Sequence, residues 1–420
     1  MQLKQPTGKI TSLLAAATCS LLNQSSSAQE IPGWYLDSAV LSYSEKDRVD
    51  AVEPVLSATR VFADGQKLNL TFVADSLTGA SPNGASISNV IQTFTRPSGL
   101  GTYNTEVGEL PLDDTFKDSR SAFSAQYEFP LNQMTRLSTG LAYSDEYDYT
   151  SIGFNATLAR DFNLKNTTLS LGFAYAADSI EPEGGIPIPF ASTSLPFDQQ
   201  RQGNDDDKTV VDLLFGVTQV INRRTLMQVN YSYSQSDGYL TEPFKLLSQV
   251  NGITGETSGY VNDSRPDTRE KHSVYWKTKY SRANGDIIDV SYRYLWDDWD
   301  INSHTIDARY RLNVNDKFYI EPHVRYYNQQ EAEFFAHSLV AGQALPVNAS
   351  ADYRLGAFNG VTFGSKFGYK LTDRSEINFR AEIYEQQGDT VGTPIGIQNS
   401  YDMFPDLEAT IFQIGYSYRF

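Results

Sequence analysis

The stretch Glu408-Ala-Thr-Ile-Phe-Gln-Ile-Gly-Tyr-Ser-Tyr-Arg-Phe420 ends the chain and alternates between apolar and polar positions. One phase carries Phe412, Ile414, Tyr416, Tyr418 and Phe420, and the other carries Gln413, Gly415, Ser417 and Arg419. This period of two predicts a strand with one apolar face and one polar face. Because a last strand has no following segment to cover its edge, we expect its backbone to find partners on both sides in a closed sheet. The stretch therefore predicts a β-barrel.

The composition agrees with a barrel. The chain has 26 Tyr and 23 Phe, but it lacks the run of about eighteen apolar residues that a membrane-spanning helix needs. The formal net charge of −17 argues against binding to nucleic acid, which would favour an excess of Lys and Arg. We attribute the acidity to solvated loops.

The amino-terminal segment has the features of a secretory signal. Lys4 and Lys9 form a positive region, residues 10–22 form a short apolar core, and Ser26-Ser27-Ala28 offers small residues for cleavage. We predict a signal peptide over residues 1–28 and a barrel over 29–420.

The single cysteine, Cys19, lies in this segment. Lipidation of Cys19 is the alternative, but Thr18 is a poor residue before a lipidated cysteine. A mature chain without thiols would exclude disulfides, thiolate metal sites and cysteine nucleophiles.

Alternating segments recur along the chain, separated by turn-like and long connections in turn. We count about sixteen strands, and every long loop, beginning with Ser76–Asp118, falls on the same alternate set of connections. Short turns at one end and long loops at the other are typical of bacterial outer-membrane barrels. The predicted fold class is all-β: a transmembrane, antiparallel, up-and-down β-barrel. A soluble β-sandwich or a double barrel is the alternative. Outward positions in the first half would be Leu137, Leu141, Tyr143, Ile152, Phe154, Leu158, Leu169, Leu171, Phe173 and Tyr175.

The polar phase of the later strands carries many charges that would face the lumen. These candidates are Lys277, Lys279, Asp289, Arg293, Asp307, Arg309, Arg311, Glu321, His323, Arg325, Arg354, Lys366, Arg380 and Glu382. One interpretation is that cations and carboxylates on neighbouring strands satisfy each other and brace the wall. The other is a constriction with a transverse field that orients solutes in transit.

We predict no enzyme activity, no cofactor and no metal site. The four histidines show no metal-ligand spacing. Ser303 and His304 are adjacent on a predicted strand and would point to opposite faces, so they do not form a nucleophile and base pair.

Two acidic groups of the loops are weak Ca²⁺ candidates. Asp205, Asp206 and Asp207 form one group, and residues 297, 298 and 300 form the other. Neither has the ordered ligand spacing of a calcium loop. We interpret both as solvated loop tips, and Trp296 and Trp299 as part of an interfacial aromatic girdle.

The terminal aromatics resemble a known signal. Tyr416, Tyr418 and Phe420 are similar to the carboxy-terminal signature of bacterial outer-membrane barrels, which their assembly machinery reads. This resemblance implies a location in the outer membrane of a Gram-negative bacterium. Expected partners are outer-membrane lipid and lipopolysaccharide, the barrel assembly machinery and a second copy of the chain.

An early part of the chain resembles a family of envelope proteins catalogued as domain of unknown function 3570. The residues that carry this resemblance are Leu41-Ser-Tyr-Ser-Glu-Lys-Asp-Arg48, Glu53-Pro54, Asp64-Gly65, Asp75 and Leu77-Thr-Gly-Ala-Ser-Pro-Asn-Gly-Ala85. The resemblance implies an outer-membrane location and an association with thioredoxin-like and flavin-attaching proteins. It supplies no catalytic residue.

The most specific block holds our loop or gate candidates Thr78, Gly79, Ser81, Pro82, Asn83 and Gly84. This block is either a docking or gating loop, or a Pro-Asn-Gly turn whose small residues pack tightly at the mouth.

Two functional hypotheses follow. The first is a porin-like channel or transporter for a small solute, with the loop Ser76–Asp118 narrowing the lumen. The second is a non-conducting scaffold barrel that holds a periplasmic or surface partner protein, such as a redox or flavin-linked one.

Overall fold

Sixteen antiparallel strands form one closed barrel, in which each strand pairs with the barrel strands that precede and follow it. The structure, a computed structural model, describes residues 31–96 and 100–420, without the side chains of residues 114–116. The predicted signal peptide, residues 1–28, lies outside this range. The strands are β1 (Gly33–Glu45), β2 (Val49–Val61), β3 (Lys67–Pro82), β4 (Leu112–Asn132), β5 (Thr135–Glu146), β6 (Tyr149–Phe162), β7 (Thr167–Ile180), β8 (Asp206–Asn222), β9 (Thr225–Gly238), β10 (Thr268–Ser281), β11 (Ile287–Asp297), β12 (Asn302–Asn313), β13 (Phe318–Gln329), β14 (Phe358–Thr372), β15 (Ser375–Gly388) and β16 (Leu407–Arg419).

The last strand closes the barrel. β16 pairs with β15 on one side and with β1 on the other, in a register that runs from Tyr35 opposite Arg419 to Glu45 opposite Ala409. Phe420 N–H donates to Trp34 O at 2.9 Å and extends this ladder by one bond. The prediction of a closed sheet of sixteen strands is confirmed.

The connections divide the barrel into two different ends. We call the end that carries the five long connections, residues 83–111, 181–205, 239–267, 330–357 and 389–406, the loop end. The opposite end, which we call the turn end, has only short turns of the kind at residues 62–66 and 223–224. The predicted alternation of short and long connections is confirmed.

Two predicted boundaries are wrong. The first predicted loop, Ser76–Asp118, is shorter, because β3 continues to Pro82 and pairs there with Leu112 of β4. The predicted strand Tyr353–Leu371 begins at Phe358, and Tyr353–Leu355 forms a 3-10 turn instead. Gly, Ser and Asn made the end of β3 resemble a loop, but backbone hydrogen bonds are enough to continue a strand pair there. At Tyr353–Leu355 the Asp352 side chain accepts from Arg354 N–H and begins a turn in place of the predicted strand.

The outer face of the barrel is apolar. Of the predicted outward residues, Leu137 is half-buried, and the side chains of the others are exposed: Leu141, Tyr143, Ile152, Phe154, Leu158, Leu169, Leu171, Phe173 and Tyr175. A belt of exposed Leu, Ile and Phe around a closed sheet is the surface of a barrel that spans a lipid bilayer. Among the described residues, no helix is long and apolar enough to cross a membrane.

The largest buried apolar cluster lies at the loop end rather than along the wall. It consists of Trp299, Ile301, Ala332, Phe334, Phe335, Leu355, Phe358 and Phe404. All but Phe358 come from connections between strands. The long loops therefore form a packed layer, which we call the loop layer.

Candidate functional site

The inner faces of β10 and β11 carry paired charges. Lys277 Nζ lies 3.1 Å from Asp289 Oδ2, and Lys279 Nζ lies 3.5 Å from the same oxygen. Lys279 and Asp289 are direct cross-strand partners, and Arg309 of β12 lies opposite Asp289 on its other side. The register therefore brings these predicted lumen residues together in one row.

A histidine bridge joins three strands further along the same wall. His323 Nε2 lies 2.9 Å from Asp307 Oδ2, and its Nδ1 lies 2.8 Å from Glu382 Oε1. Because ionised carboxylates accept hydrogen bonds and cannot donate them, both ring nitrogens carry a proton in this arrangement. The bridge passes over β14 at Gly364, which lies between His323 and Glu382 in the register.

The other predicted lumen residues fall into three groups. Arg309 pairs with Asp307 at 3.3 Å and Arg380 approaches Glu382 at 3.9 Å. Glu321 lies opposite Lys366 in the register, and the guanidinium of Arg311 lies 3.5 Å from the ring centre of Tyr319. The structure thus places most of these charges in contact with each other, whereas Arg293 and Arg325 line a cavity.

Arg354 is not on the wall, contrary to our prediction. It lies in the 3-10 turn Tyr353–Leu355 and belongs to a buried ion cluster of the loop layer. Its Nε donates to both carboxylate oxygens of Asp352, at 2.9 and 2.8 Å, and its Nη2 donates to Glu242 at 2.5 Å. Arg265 donates to Asp352 at 2.8 Å and to Asp263 at 2.7 Å.

The two arginines hold Asp352 and Glu242 in their charged form. Burial raises the pKa of Asp352, but Arg354 and Arg265 outweigh it, so the pKa lies well below the usual range of a carboxyl. Burial likewise raises the pKa of Glu242, and the same two arginines bring it below its ordinary value. The cluster ties residues 239–267 to residues 330–357.

The Ser-Pro-Asn-Gly block joins the end of β3 to the first long loop. Thr78, Gly79, Ser81 and Pro82 belong to β3, and Asn83 and Gly84 begin the first long loop. Asn83 is buried; it accepts a hydrogen bond from Ala85 N–H at 2.9 Å and donates to Tyr103 OH at 2.8 Å.

A close backbone contact explains the glycine of this block. Gly84 has φ +91°, and a Cβ there would lie 2.6 Å from Leu246 O. Leu246 N–H donates to Asn83 O at 2.8 Å, and Ser86 N–H donates to Ser248 Oγ at 2.9 Å. The block docks against the loop strand Leu246–Val250 at the loop end of the barrel.

A second set of inner charges lies in the first half of the barrel, for which we named no candidates from the sequence. Arg120 pairs with Asp75 and approaches Glu146 at 3.8 Å, and Lys208 Nζ lies 3.2 Å from Asp178 Oδ2. The same period-two alternation carries them, so extending the inward phase to β3–β8 would have found them.

The barrel encloses a cavity of about 2140 Å³. At the turn end its lining includes Ala63, Gly65 and Asn166. At the loop end it is lined by Asn83, Gly84 and residues 93–96 of the first long loop, and by residues 239–246 of the third. The cavity thus extends along the barrel, and several loops narrow it rather than the first alone.

The two sides of this cavity differ in charge. From β1–β6, carboxylates outnumber cations among the residues that line the cavity: Asp37, Glu45, Glu53, Asp75, Asp113, Asp118, Glu128, Glu146 and Asp161 against Lys67, Lys117, Arg120 and Arg136. From β10–β15, the charged residues that line the cavity are Arg269, Lys271, Arg293 and Arg325. An acidic wall therefore faces a basic wall.

The acidic loop groups do not form a metal site. Asp205 is exposed, and Asp206 and Asp207 begin β8, where successive side chains point to opposite faces. Asp297 is fully buried and accepts from Arg269 and from the N–H groups of Trp299 and Ile301. In the described part of the chain, no group of three His, Cys, Asp or Glu could hold a metal ion.

The aromatic and histidine candidates do not all lie on the same face of the barrel wall. Trp296 stacks on His272 on the outer face, with ring centres 5.1 Å apart. The girdle prediction is wrong for Trp299, which is buried and donates from Nε1 to Thr268 O at 2.9 Å. Ser303 is buried on the inner face, whereas His304 contacts Tyr292 on the outer face, so the two point apart as expected.

Comparison with solved structures finds other barrels at low similarity. A bacterial polysaccharide outer membrane secretin is 10% identical with a TM-score of 0.46, covering 93% of this chain and 99% of that one. CdiB from Acinetobacter baumannii is 8% identical with a TM-score of 0.47, covering 92% of this chain and 60% of that one. The Pseudomonas putida toluene transporter TodX is 11% identical with a TM-score of 0.39, covering 96% and 93%.

These scores are low, and the fold of this chain is established by its own strand pairing. No curated protein sequence matches the chain. The sequence model of the family described as "Protein of unknown function (DUF3570)" matches residues 11–418, nearly the whole chain, and this protein therefore belongs to that family.

Proposed function

We propose that this protein is an outer-membrane channel or transporter of a Gram-negative bacterium that passes a small solute through its lumen. The observation that carries the proposal is the cavity of about 2140 Å³, which extends from the turn end to the loop layer between two charged walls. A barrel of sixteen strands is wide enough to leave an aqueous lumen. The loop layer narrows this lumen, and charged walls are a common means of selecting solutes.

Single-channel conductance of the purified protein in a planar bilayer tests the proposal. The parent is compared with a variant in which residues 84–110 are replaced by a short Gly-Ser linker. The same linker inserted between Asn222 and Arg223 at the turn end is the control. We expect the parent and the control to conduct equally and the loop-replaced variant to conduct more.

A second candidate function is a non-conducting scaffold that holds a periplasmic or surface partner protein. The loop layer favours it, because its buried apolar cluster and its ion cluster join several loops across the loop end. If neither the parent nor the loop-replaced variant conducts ions, the channel function is excluded. A scaffold should then retain a protein partner through purification in mild detergent.

A further inference from the structure

The basic side of the cavity presents cations without carboxylates. Among the described residues of β10–β15, the charged residues that line the cavity are Arg269, Lys271, Arg293 and Arg325. Carboxylates of the same strands form ion pairs and hydrogen bonds with side chains of the wall. Asp289 pairs with Lys277 and Lys279, and the buried carboxylate of Asp297 pairs with Arg269.

Asp307 and Glu382 are similarly engaged. Both accept from the ring of His323, and Asp307 also pairs with Arg309. These carboxylates are therefore engaged in ion pairs and hydrogen bonds that stabilise the wall itself. Of the four cations that line the cavity, Arg269 pairs with Asp297, whereas Lys271 and Arg325 can be approached by solvent ions or by a solute from the cavity.

Two of these cations lie opposite carboxylates that are bonded to other side chains. Lys271 and Arg325 form no hydrogen bond and no ion pair with another described residue. Lys271 lies opposite Asp297 and Arg325 lies opposite Asp307 in the register. Asp297, however, pairs with Arg269, and Asp307 pairs with Arg309 and His323. Both cations are half-buried, so water screens their charge less than at an open surface.

Hydroxyl groups lie between these cations. Arg293 of β11, Thr305 of β12 and Tyr327 of β13 occupy one cross-strand row, and Arg325 faces Thr362 of β14 in the next. All of them line the cavity. Guanidinium groups with neighbouring hydroxyl donors match the oxygens of a carboxylate or phosphate.

Given the lumen of the proposed function, we propose that the β10–β14 wall is a subsite for the oxyanion of a small solute. Arg325 attracts the oxyanion, and Lys271, Arg293, Thr305 and Thr362 orient it by donating hydrogen bonds. The acidic wall of β1–β6 on the other side repels the same group, so the solute is held with its carboxylate or phosphate towards β10–β14. Because inorganic phosphate and organic carboxylates share this chemistry, the test must distinguish them.

Thiol labelling measures the local potential without requiring ion conduction. Cys19 is the only cysteine, so Thr305→Cys and Ser57→Cys are made separately in a Cys19→Ser background. Ser57 of β2 is the matched control, because it is also half-buried and lines the acidic side of the cavity. Each variant is treated with an anionic sulfonatoethyl and a cationic trimethylammonioethyl methanethiosulfonate reagent, which share one reactive group.

We expect the ratio of anionic to cationic labelling rates to be at least about tenfold higher at Thr305→Cys than at Ser57→Cys. Adding Lys271→Gln and Arg325→Gln should bring the two ratios within about twofold of each other. Phosphate or acetate, at equal ionic strength, should slow the labelling of Thr305→Cys and leave Ser57→Cys unaffected. The anion that protects better identifies the solute class.

The subsite would be refuted by equal ratios of anionic to cationic labelling rates at the two positions. It would also be refuted if neither anion protected Thr305→Cys, or if neither thiol reacted. The anion protection is measured without the double substitution, so it applies even if that variant does not fold. If the labelling ratios differ between the two positions but the protein does not conduct, the subsite is supported and the channel is refuted. A protein that conducts with equal labelling ratios keeps the channel and loses the subsite.

Discussion

Single glycines decide which side chains can meet inside the barrel. Gly360, Gly364 and Gly368 recur at every fourth position of β14 and share its inner face. Tyr319 covers Gly368 and donates from its OH to Glu376 of β15 at 2.7 Å. The side chains of β13 thus reach β15 across a strand that has no side chain at these points.

Gly364→Ala should weaken the histidine bridge. An added Cβ would lie 2.6 Å from Cγ of Glu382 and would also press on Ala381 O, so Glu382 must move away from His323. We expect the free energy of unfolding to fall by about 1–3 kcal/mol, measured by urea titration of the barrel in detergent. Gly203→Ala is the control, because the nearest atom to its added Cβ is 3.8 Å away. Equal stability of the two variants would contradict the role given to Gly364.

His337 should make the loop layer sensitive to acid. Its Nε2 accepts from Val391 N–H at 3.3 Å, and burial lowers its pKa to about 4. Since the ordinary value is about 6.5, the folded layer favours neutral imidazole. This contribution is complete above pH 6.5 and is lost as the pH falls towards 4, by on the order of 2 kcal/mol.

Limited proteolysis of the loops at pH 7.5 and pH 5 measures this effect. We expect faster cleavage at the lower pH, and little pH dependence for His337→Gln, which keeps an acceptor and does not titrate. His304→Gln, on the outer face, should behave as the parent does. A parent whose loops are cut equally at both values would refute the assignment.

At the scale of elements, β16 both closes the sheet and carries the terminal aromatics. The rings of Tyr418 and Phe420 meet edge to face at 4.7 Å, and Phe420 is 61% exposed on the surface. Deleting Phe420 removes that ring and the bond to Trp34 O. We expect the deletion to reduce assembly into the membrane, detected as loss of the heat-modifiable folded band on a gel. Phe420→Tyr keeps the ring and should assemble normally; a deletion variant that assembles at the parent level would show the terminal signature to be misinterpreted.

The packing of the loop layer depends on its buried ion cluster. Asp352→Ala leaves the guanidinium groups of Arg265 and Arg354 buried without their shared acceptor. Breaking a buried pair on one side costs about 3–5 kcal/mol, so we expect the loops to loosen and the single-channel current to rise or become noisier. Asp205→Ala, at an exposed loop position, is the control. A current identical to that of the parent would show that the cluster does not hold the layer.

At the scale of the whole molecule, the apolar belt fixes the barrel in lipid. Leu141 lies midway along β5 and is 63% exposed on the outer face. Leu141→Arg should lower the stability of the barrel in bilayers by about 2–4 kcal/mol, measured by reversible unfolding from vesicles. Leu164→Arg, in the exposed turn between β6 and β7, should change it by less than about 1 kcal/mol. Equal effects would mean that β5 does not face lipid.

The sequence by itself determined the barrel, its strand number, the separation of loops from turns, and the inward phase of the charges on the later strands. These follow from a period of two and from the order of short and long connections, which are local properties of the chain. Only the tertiary structure decided the ends of β3 and β14, the burial of Trp299, the place of Arg354 and the opposition of an acidic and a basic wall. Loop contacts such as Arg354 with Glu242 join residues far apart in the chain and follow no periodicity. The charge of each wall depends on which strands share a side, and that is fixed only when the sheet closes.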